Sequence, residues 1–166
     1  MKKTLIVVDM QNDFIDMALG TKEAVAILPA VKAKIAAYAA AGHEILYTRD
    51  THEENYLDTP EGRKLPVKHC IRGTKGWQIA DGLYIDGCRI VDKPNFGWPH
   101  WAEETLEDVE LIGLCTDICV VSNALIIKAT FPEADVKVDA ACCAGVTPES
   151  HAAALQTMAM CQIDIL

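Results

Sequence analysis

Short apolar runs alternate with longer segments of helical periodicity along this chain. The apolar runs predict six strands, at residues 5–8, 43–48, 88–91, 109–114, 134–138 and 163–166. The first run is apolar without interruption, which is typical of a strand buried on both faces of a parallel sheet. Between the strands, apolar spacing and first-turn prolines predict helices at residues 29–41, 101–107, 119–131 and 148–160.

Strands that alternate with helices predict an α/β fold. Crossovers between parallel strands are right-handed and place helices on both faces of the sheet. We therefore expect a single-domain, three-layer α/β/α architecture with a six-stranded, mostly parallel sheet. A chain of 166 residues is most simply one domain, residues 1–166, and is long enough to bury a substantial core.

Composition narrows the functional classes. The chain carries 15 basic and 24 acidic residues, a net charge of −9, and no basic stripe is visible. This balance argues against non-specific binding to nucleic acid or to an anionic membrane. No apolar run approaches the roughly 18 to 20 residues of a membrane span. Seven cysteines without framework spacing indicate reduced thiols, so we expect a cytoplasmic protein.

Three chemically active residues follow predicted strands. Asp9 follows the first strand, Lys93 the third and Cys119 the fourth. The carboxyl ends of parallel strands share one edge of an open α/β sheet, and ligands bind at that edge. Each residue alone also suits a plain role: a solvated carboxylate, a surface lysine or a buried thiol. Their convergence at one edge favours a functional site.

The segment around Cys119 joins a strand end to a helix start. Thr116 or Asp117 can cap this helix. A thiol in the first turn meets free backbone N–H groups and the positive end of the helix dipole, and both favour the thiolate. The same N–H groups could hold an oxyanion. Our hypothesis is that Cys119 is a nucleophile; the alternative is a small buried apolar residue.

A second candidate site begins at the end of the second strand. Asp50 and His52 supply a carboxylate and an imidazole there, and the long connection that follows contains Glu61 and His69. Connections of this length without a clear element are often functional. The four side chains could form a divalent metal site with nitrogen and oxygen ligands. The alternative is a solvated acidic loop.

Five ordered segments together resemble the isochorismatase-like cysteine hydrolase superfamily, and within it the nicotinamidases. The segments are VDMQNDF at 8–14, TRDTH at 48–52, HC-x-x-GT-x-G at 69–76, Lys93 before Phe96-Gly97, and G-x-x-TD-x-CV at 113–120. They span nearly the whole chain, and the ordered set is more specific than any single segment. The resemblance implies the isochorismatase-like hydrolase fold.

The resemblance also implies an Asp-Lys-Cys catalytic triad formed by Asp9, Lys93 and Cys119. Asp9 would take the thiol proton and later return it to the leaving ammonia, while Lys93 would hold positive charge near both groups. Cys119 would attack the amide carbon and form a thioester that water then hydrolyses. The family places a cis peptide at Leu114-Cys115, with the amides of Cys115 and Cys119 as the oxyanion hole.

Nicotinamidases carry a divalent metal that binds the pyridine nitrogen of the substrate. The implied ligands are Asp50, His52 and His69. The usual additional histidine is absent, because residues 53–68 contain none, and Glu61 within a Pro-Glu step resembles the fourth ligand of some relatives. Zinc is the expected metal, although iron or manganese suits the same donor set.

Two aromatic residues are the expected substrate contacts. Phe14 stands at the family's ring-stacking position, with core packing as its alternative role, and Trp98 is the second candidate. The aromatic residue often seen just before His69 is absent, since Leu-Pro-Val-Lys occupies residues 65–68. Lys68 could instead favour an anionic substrate.

The leading prediction is therefore a nicotinamidase of NAD salvage, an amidohydrolase that converts nicotinamide to nicotinate and ammonia. Within the enzyme class, the alternatives are a related cysteine hydrolase of another small amide and an isochorismatase-type hydrolase. Outside it, the alternatives are a silent binding subunit and a thiol redox protein that uses Cys115 and Cys119. Redox chemistry would need the Cys115 thiol, whereas hydrolysis needs only its N–H. We expect a small-molecule amide substrate, a homo-oligomer, and no nucleic-acid or membrane partner.

Overall fold

A computed structural model describes residues 3–166, which contain a six-stranded sheet. Its order is β3-β2-β1-β4-β5-β6, and every neighbouring pair is parallel. The strands are β1 (Thr4–Val8), β2 (Glu44–Asp50), β3 (Arg89–Lys93), β4 (Asp108–Leu114), β5 (Asp135–Ala144) and β6 (Asp164–Ile165). The strand order reverses direction between β1 and β4, and in α/β folds the crevice beside such a reversal is the usual ligand site.

Helices cover both faces of the sheet. They are α1 (Asn12–Ile15), α2 (Lys22–Ala26), α3 (Leu28–Ala40), α4 (Pro60–Lys64), α5 (Val121–Thr130) and α6 (Pro148–Met160). Within residues 3–166, no helix has the length and apolar character needed to cross a membrane.

Two hydrophobic cores lie on opposite faces of the sheet. Successive side chains of a strand point to opposite faces, so Ile6 packs with α5 and α6 while Leu5 packs with α3. All five residues of β1 are buried, as the uninterrupted apolar run predicts. The three-layer α/β/α prediction is therefore confirmed, and the sheet is parallel throughout.

Three predicted elements differ in the structure. Residues 101–107 contain only a 3₁₀ turn at Trp101–Glu103, because the chain turns extended at Glu104 and then enters β4. The helix expected from residue 119 begins instead as a π-helical turn, Thr116–Val120, and becomes α-helical at Val121. The fifth strand continues past residue 138 to Ala144, so Cys142 and Cys143 lie on β5 and not in the loop that the sequence predicts at residues 140–146.

The long connection after β2 also has structure of its own. It contains a 3₁₀ turn, Tyr56–Asp58, followed by α4. The Thr59 side chain caps α4 by accepting a hydrogen bond from the N–H of Gly62. This short helix presents Glu61 in its first turn, and so places that carboxylate back over the end of β2.

Candidate active site

The carboxyl ends of β1, β3 and β4 meet at one edge of the sheet. Asp9 directly follows β1, Lys93 is the last residue of β3, and Cys119 lies in the π-helical turn after β4. Gly113 has a φ of +119°, and a Cβ there would lie 2.1 Å from the carbonyl oxygen of Val8. Only glycine therefore permits this close approach of β1 and β4 beside the site.

The structure brings Asp9, Lys93 and Cys119 into direct contact. The Lys93 Nζ lies 2.6 Å from Asp9 Oδ2 and 3.5 Å from the Cys119 Sγ. Thr48 donates a hydrogen bond of 2.6 Å to the other oxygen of Asp9. Asp9 has a φ of +46°, a backbone conformation that is uncommon outside glycine and clusters at functional sites.

Burial dominates the electrostatics of these three groups. It raises the pKa of Asp9, an effect that the Lys93 ammonium partly opposes. It also raises the pKa of the Cys119 thiol, and the nearby Asp9 raises it further. Burial alone would lower the pKa of Lys93, but its anionic neighbours raise it overall, so this lysine stays charged. The expected thiolate-favouring effect of the helix start is thus outweighed, and the resting thiol is neutral.

Cys115 and Cys119 carry the backbone N–H groups that the resemblance assigns to the oxyanion hole. The Leu114-Cys115 peptide is cis, as the resemblance implies. Within residues 3–166, the N–H of Cys115 donates to no acceptor of the protein. Cys115 and Cys119 both line a small pocket at this edge. A free N–H beside a nucleophile can stabilise an anionic oxygen.

Two connected chambers lead to the sulfur. The inner pocket has a volume of about 50 Å³ and is mostly apolar, and its lining includes Phe14, Phe96 and Cys119. The outer chamber, of about 510 Å³, shares four lining residues with the inner pocket: Glu61, Leu65, Phe96 and Ile118. A ligand that enters from the outer chamber would therefore pass these four side chains to reach the sulfur.

Of the two predicted substrate contacts, Phe14 and Trp98, only the first lies at the inner pocket. Phe14 lines the inner pocket and packs against the ring of His69, with ring centroids 5.6 Å apart. Among residues 3–166, Trp98 lines neither chamber; it is buried edge-to-face against Trp101. Lys68 is half exposed and pairs with Glu54 at 3.0 Å, so its charge is directed to the surface.

A group of four potential metal ligands adjoins the triad. One ligand atom from each of Asp50, His52, Glu61 and His69 lies within 4.8 Å of the others. The Asp50 Oδ2 is 3.0 Å from His52 Nε2 and 3.6 Å from His69 Nε2. The Glu61 Oε1 is 3.6 Å from His52 Nε2 and 3.8 Å from His69 Nε2. Two imidazoles and two carboxylates suit zinc and similar divalent ions.

The orientation of His69 fits a metal ligand. Its Nδ1 lies 2.8 Å from the carbonyl oxygen of Val67, which can only accept, so Nδ1 carries a proton and Nε2 is the nitrogen that faces Asp50 and Glu61. The pKa of Asp50 is lowered because hydrogen bonds from the two imidazoles, with the charge of Lys93, outweigh the effect of burial. Its Oδ1 lies 3.8 Å from Lys93 Nζ, so Asp50 joins the ligand group to the triad.

Two buried polar residues that support the site were not found by sequence reasoning. Thr48 orients Asp9, as described above. The Gln11 side chain accepts from the N–H of Asp50 at 2.7 Å and donates to its carbonyl oxygen at 2.8 Å. The only sequence signal is a polar residue beside a strand end, and this signal does not reveal a partner 39 positions away in the chain.

Comparison with known proteins identifies the family. A family model of the isochorismatase domain matches residues 3–166. The chain belongs to the isochorismatase family. Nicotinamidase/pyrazinamidase of Mycobacterium tuberculosis (strain ATCC 25618 / H37Rv) is 25% identical over 184 residues, which cover 99% of this chain and 98% of that protein.

Solved structures agree with this membership of the isochorismatase family. The pyrazinamidase of Pyrococcus horikoshii in complex with zinc is 28% identical, with a TM-score of 0.87 over 100% of this chain and 99% of that one. The pyrazinamidase/nicotinamidase of Streptococcus mutans UA159 is 25% identical, with a TM-score of 0.86 over 99% and 100%. The chain is thus a nicotinamidase-like amidohydrolase of this family.

Proposed function

We propose that this amidohydrolase converts nicotinamide to nicotinate and ammonia through a thioester on Cys119. One observation carries the proposal: Cys119 of the buried Asp9-Lys93-Cys119 cluster lines the same small, mostly apolar pocket as Asp50, Glu61 and His69, three of the four potential metal ligands. A flat, uncharged heteroaromatic amide has the size and polarity for such a pocket.

The triad geometry supports a general-base mechanism. The Cys119 thiol and the Asp9 carboxylate both lie against the Lys93 ammonium, so the carboxylate is placed to take the thiol proton as the sulfur attacks the amide carbon. The N–H groups of Cys115 and Cys119 would hold the oxyanion. When the tetrahedral intermediate collapses, the C–N bond breaks and Asp9 returns the proton to the departing ammonia. Water then hydrolyses the thioester and restores the thiol.

The positive charge of Lys93 offsets the negative charge of the triad throughout this cycle. It is fully buried and faces both Asp9 and Cys119, so its positive charge offsets whichever partner is negative. Before proton transfer the charge pairs with the carboxylate, and after transfer it pairs with the sulfur. The thiol therefore becomes nucleophilic as its proton passes to Asp9.

Asp50, His52, Glu61 and His69 would hold a divalent metal, most simply zinc, with iron or manganese suited to the same ligands. When bound, the metal would act as a Lewis acid that accepts a lone pair from the substrate ring. Phe14 lies beside His69 and would stack on that ring. This assignment would place the protein in NAD salvage, and its seven free cysteines suit a reducing cytoplasm.

A second candidate is hydrolysis of a different small amide. Leu65 lines the inner pocket in the segment where many nicotinamidases have an aromatic residue, so the pocket wall differs. A thiol redox role has less support, because burial raises the pKa of Cys115 to about 12 and leaves little thiolate.

Ammonia release from nicotinamide tests the proposal. We expect release by wild-type protein and by Cys161→Ala, which removes an exposed thiol as a matched control. Cys119→Ala should lower the rate by roughly four to six orders of magnitude, as loss of a nucleophile does. Metal-stripped protein should also lose activity and regain it when zinc is restored.

The outcomes separate the parts of the proposal. Activity that survives metal removal, with metal content measured as zero, would contradict the metal role and leave the hydrolase. No ammonia from metal-loaded wild-type protein would exclude nicotinamide, and a panel of small amides would then test the second candidate.

A further inference from the structure

Asn123 uses all of its hydrogen-bonding capacity inside the protein. It lies on α5, one turn after Cys119, and is fully buried. An amide side chain offers two N–H donors and an oxygen with two acceptor positions. Here Nδ2 donates to the carbonyl oxygens of Cys119 and Phe96, at 2.7 and 3.1 Å. Oδ1 accepts from the N–H of Trp98 and from the indole of Trp101, both at 2.9 Å.

Two of these bonds join the nucleophile residue to another residue of the pocket wall. Cys119 and Phe96 both line the inner pocket, and one amide nitrogen binds the backbone of each. Asn123 therefore links the backbone positions from which the sulfur and the phenyl ring extend. Phe96 is 39% exposed, so few other contacts restrain its side chain.

The loop of residues 95–98 also contacts the lysine of the triad. Lys93 Nζ donates to the carbonyl oxygen of Asn95 at 3.1 Å, one residue before Phe96. The hydrogen bonds that Asn123 accepts from Trp98 and Trp101 hold the other end of this loop against α5. Residues 95–98 thus bind Lys93 at one end and Asn123 at the other.

We propose that Asn123 is a positioning residue that sets the distance between Cys119 and the pocket wall formed by Phe96. The inference rests on the proposed function, because it takes Cys119 as the nucleophile and the inner pocket as the substrate site. An apolar residue of similar size would fill the space but would leave two carbonyl oxygens and two N–H groups without partners. A hydroxyl one turn along the helix could replace only the bond to Cys119.

Two substitutions separate positioning from general support of the fold. Asn123→Ser keeps a donor for the Cys119 carbonyl and loses the bond to Phe96. We expect KM for nicotinamide to rise at least about tenfold while kcat stays within about threefold, because substrate binding depends on the pocket wall formed by Phe96. Asn123→Asp keeps both accepted bonds and loses both donated bonds, so kcat and KM should both worsen at least about tenfold.

The controls use folded protein only. Gln156→Glu, an exposed amide-to-acid change on α6, should leave both constants at the wild-type value. Rates are divided by the folded fraction from circular dichroism. A purely structural role predicts a lower Tm with unchanged kcat and KM per folded molecule, and that result would overturn the inference.

A second readout does not need the substrate. Iodoacetamide labelling of Cys119, followed residue by residue with mass spectrometry, should be at least about threefold faster in Asn123→Ser, because Phe96 no longer covers the buried sulfur. If wild-type protein fails to hydrolyse nicotinamide, the proposed substrate is wrong and labelling decides the inference alone. Equal labelling of wild type and Asn123→Ser would then refute it.

Discussion

Two buried clusters of charged side chains lie in this protein, one under α3 and one at the strand ends. Under α3, Lys34 Nζ lies 2.6 Å from Glu110 Oε1 and 2.8 Å from Asp139 Oδ2, and Tyr38 donates to Glu110 at 2.7 Å. This α3 cluster sits against a hydrophobic core that includes Val31. The strand-end cluster comprises the triad and the four potential metal ligands defined above.

The two clusters differ in how completely their charges are paired. In the α3 cluster, one lysine binds two carboxylates directly, and a tyrosine satisfies the remaining oxygen of Glu110. In the strand-end cluster, Asp50 Oδ1 lies 3.8 Å from the Lys93 ammonium, which is farther than either carboxylate of the α3 cluster lies from Lys34 Nζ. Asp50 also lines the inner pocket.

The difference shows that buried charge alone does not mark a functional site. Both clusters have shifted pKa values, and ion pairs that only stabilise a fold shift them as readily as active sites do. Incomplete pairing beside an open pocket is the distinguishing feature, because it leaves capacity for a ligand.

Replacing the lysine of each cluster gives the largest expected contrast. Lys93→Met should lower amide hydrolysis by roughly 10³- to 10⁵-fold, since the triad acts as a unit. It should also destabilise the protein by about 3 to 5 kcal/mol, because Asp9 loses its buried partner. Lys34→Met should cost about 1 to 3 kcal/mol and leave kcat per folded molecule within about twofold. Urea unfolding and ammonia release measure the two effects.

A large loss of kcat in Lys34→Met, after correction for the folded fraction, would break the comparison. It would mean that the α3 cluster takes part in catalysis through the sheet. Unchanged activity in Lys93→Met would remove the lysine from the triad.

Replacing one glutamate in each cluster gives an intermediate contrast. Glu61→Gln should weaken zinc binding at least about tenfold, or about 1.4 kcal/mol, because a neutral amide is a poorer ligand than a carboxylate. Glu110→Gln should bind zinc as wild type does, although it should unfold at a lower urea concentration. Competition with a chromophoric chelator measures the zinc affinity of both. Equal affinities in the two variants would exclude Glu61 as a ligand.

Sequence reasoning located the strand-end residues because topology determines their meeting point. Once the strands are parallel, residues that follow β1, β3 and β4 must share an edge, wherever they lie in the chain. The structure brings Asp9, Lys93 and Cys119 together there, and their roles stay predictions. Helix α6 was predicted with its observed bounds, since a proline and a capping threonine mark its start.

Other features depend on contacts that periodicity does not record. The extension of β5 follows a register shift against β4 between Leu111 and Gly113, and small residues after position 138 carry no clear alternation. Asn123 looks like an ordinary polar helix residue in the sequence, because its partners lie 22 to 27 positions earlier as well as one turn before. Glu61 was a candidate ligand from its place in the connection after β2, and the family resemblance added the Pro-Glu step.

Acid titration of the α3 cluster gives the smallest expected effect on the free energy of unfolding. Burial alone would raise the pKa of Asp139, but its hydrogen bond with Lys34 lowers it overall. A lowered folded-state pKa contributes stability above the unfolded value of about 3.9, and that contribution disappears as pH falls through the folded value. Asp139→Asn should therefore be less stable than wild type at pH 7 by under about 1 kcal/mol, which is the usual contribution of an ion pair near the surface.

The difference between wild type and Asp139→Asn should begin to shrink as pH falls below about 4 and should disappear once pH falls through the lowered folded-state pKa, where the native carboxylate also becomes neutral. Urea unfolding from pH 3 to 7 measures it, with Asp86→Asn as a control at an exposed aspartate. Zinc affinity should be unchanged in both variants, because neither residue belongs to the strand-end cluster. A difference that stays constant with pH would show that Asp139 contributes through packing and not through charge, and the α3 cluster would then no longer serve as the paired-charge reference for the site.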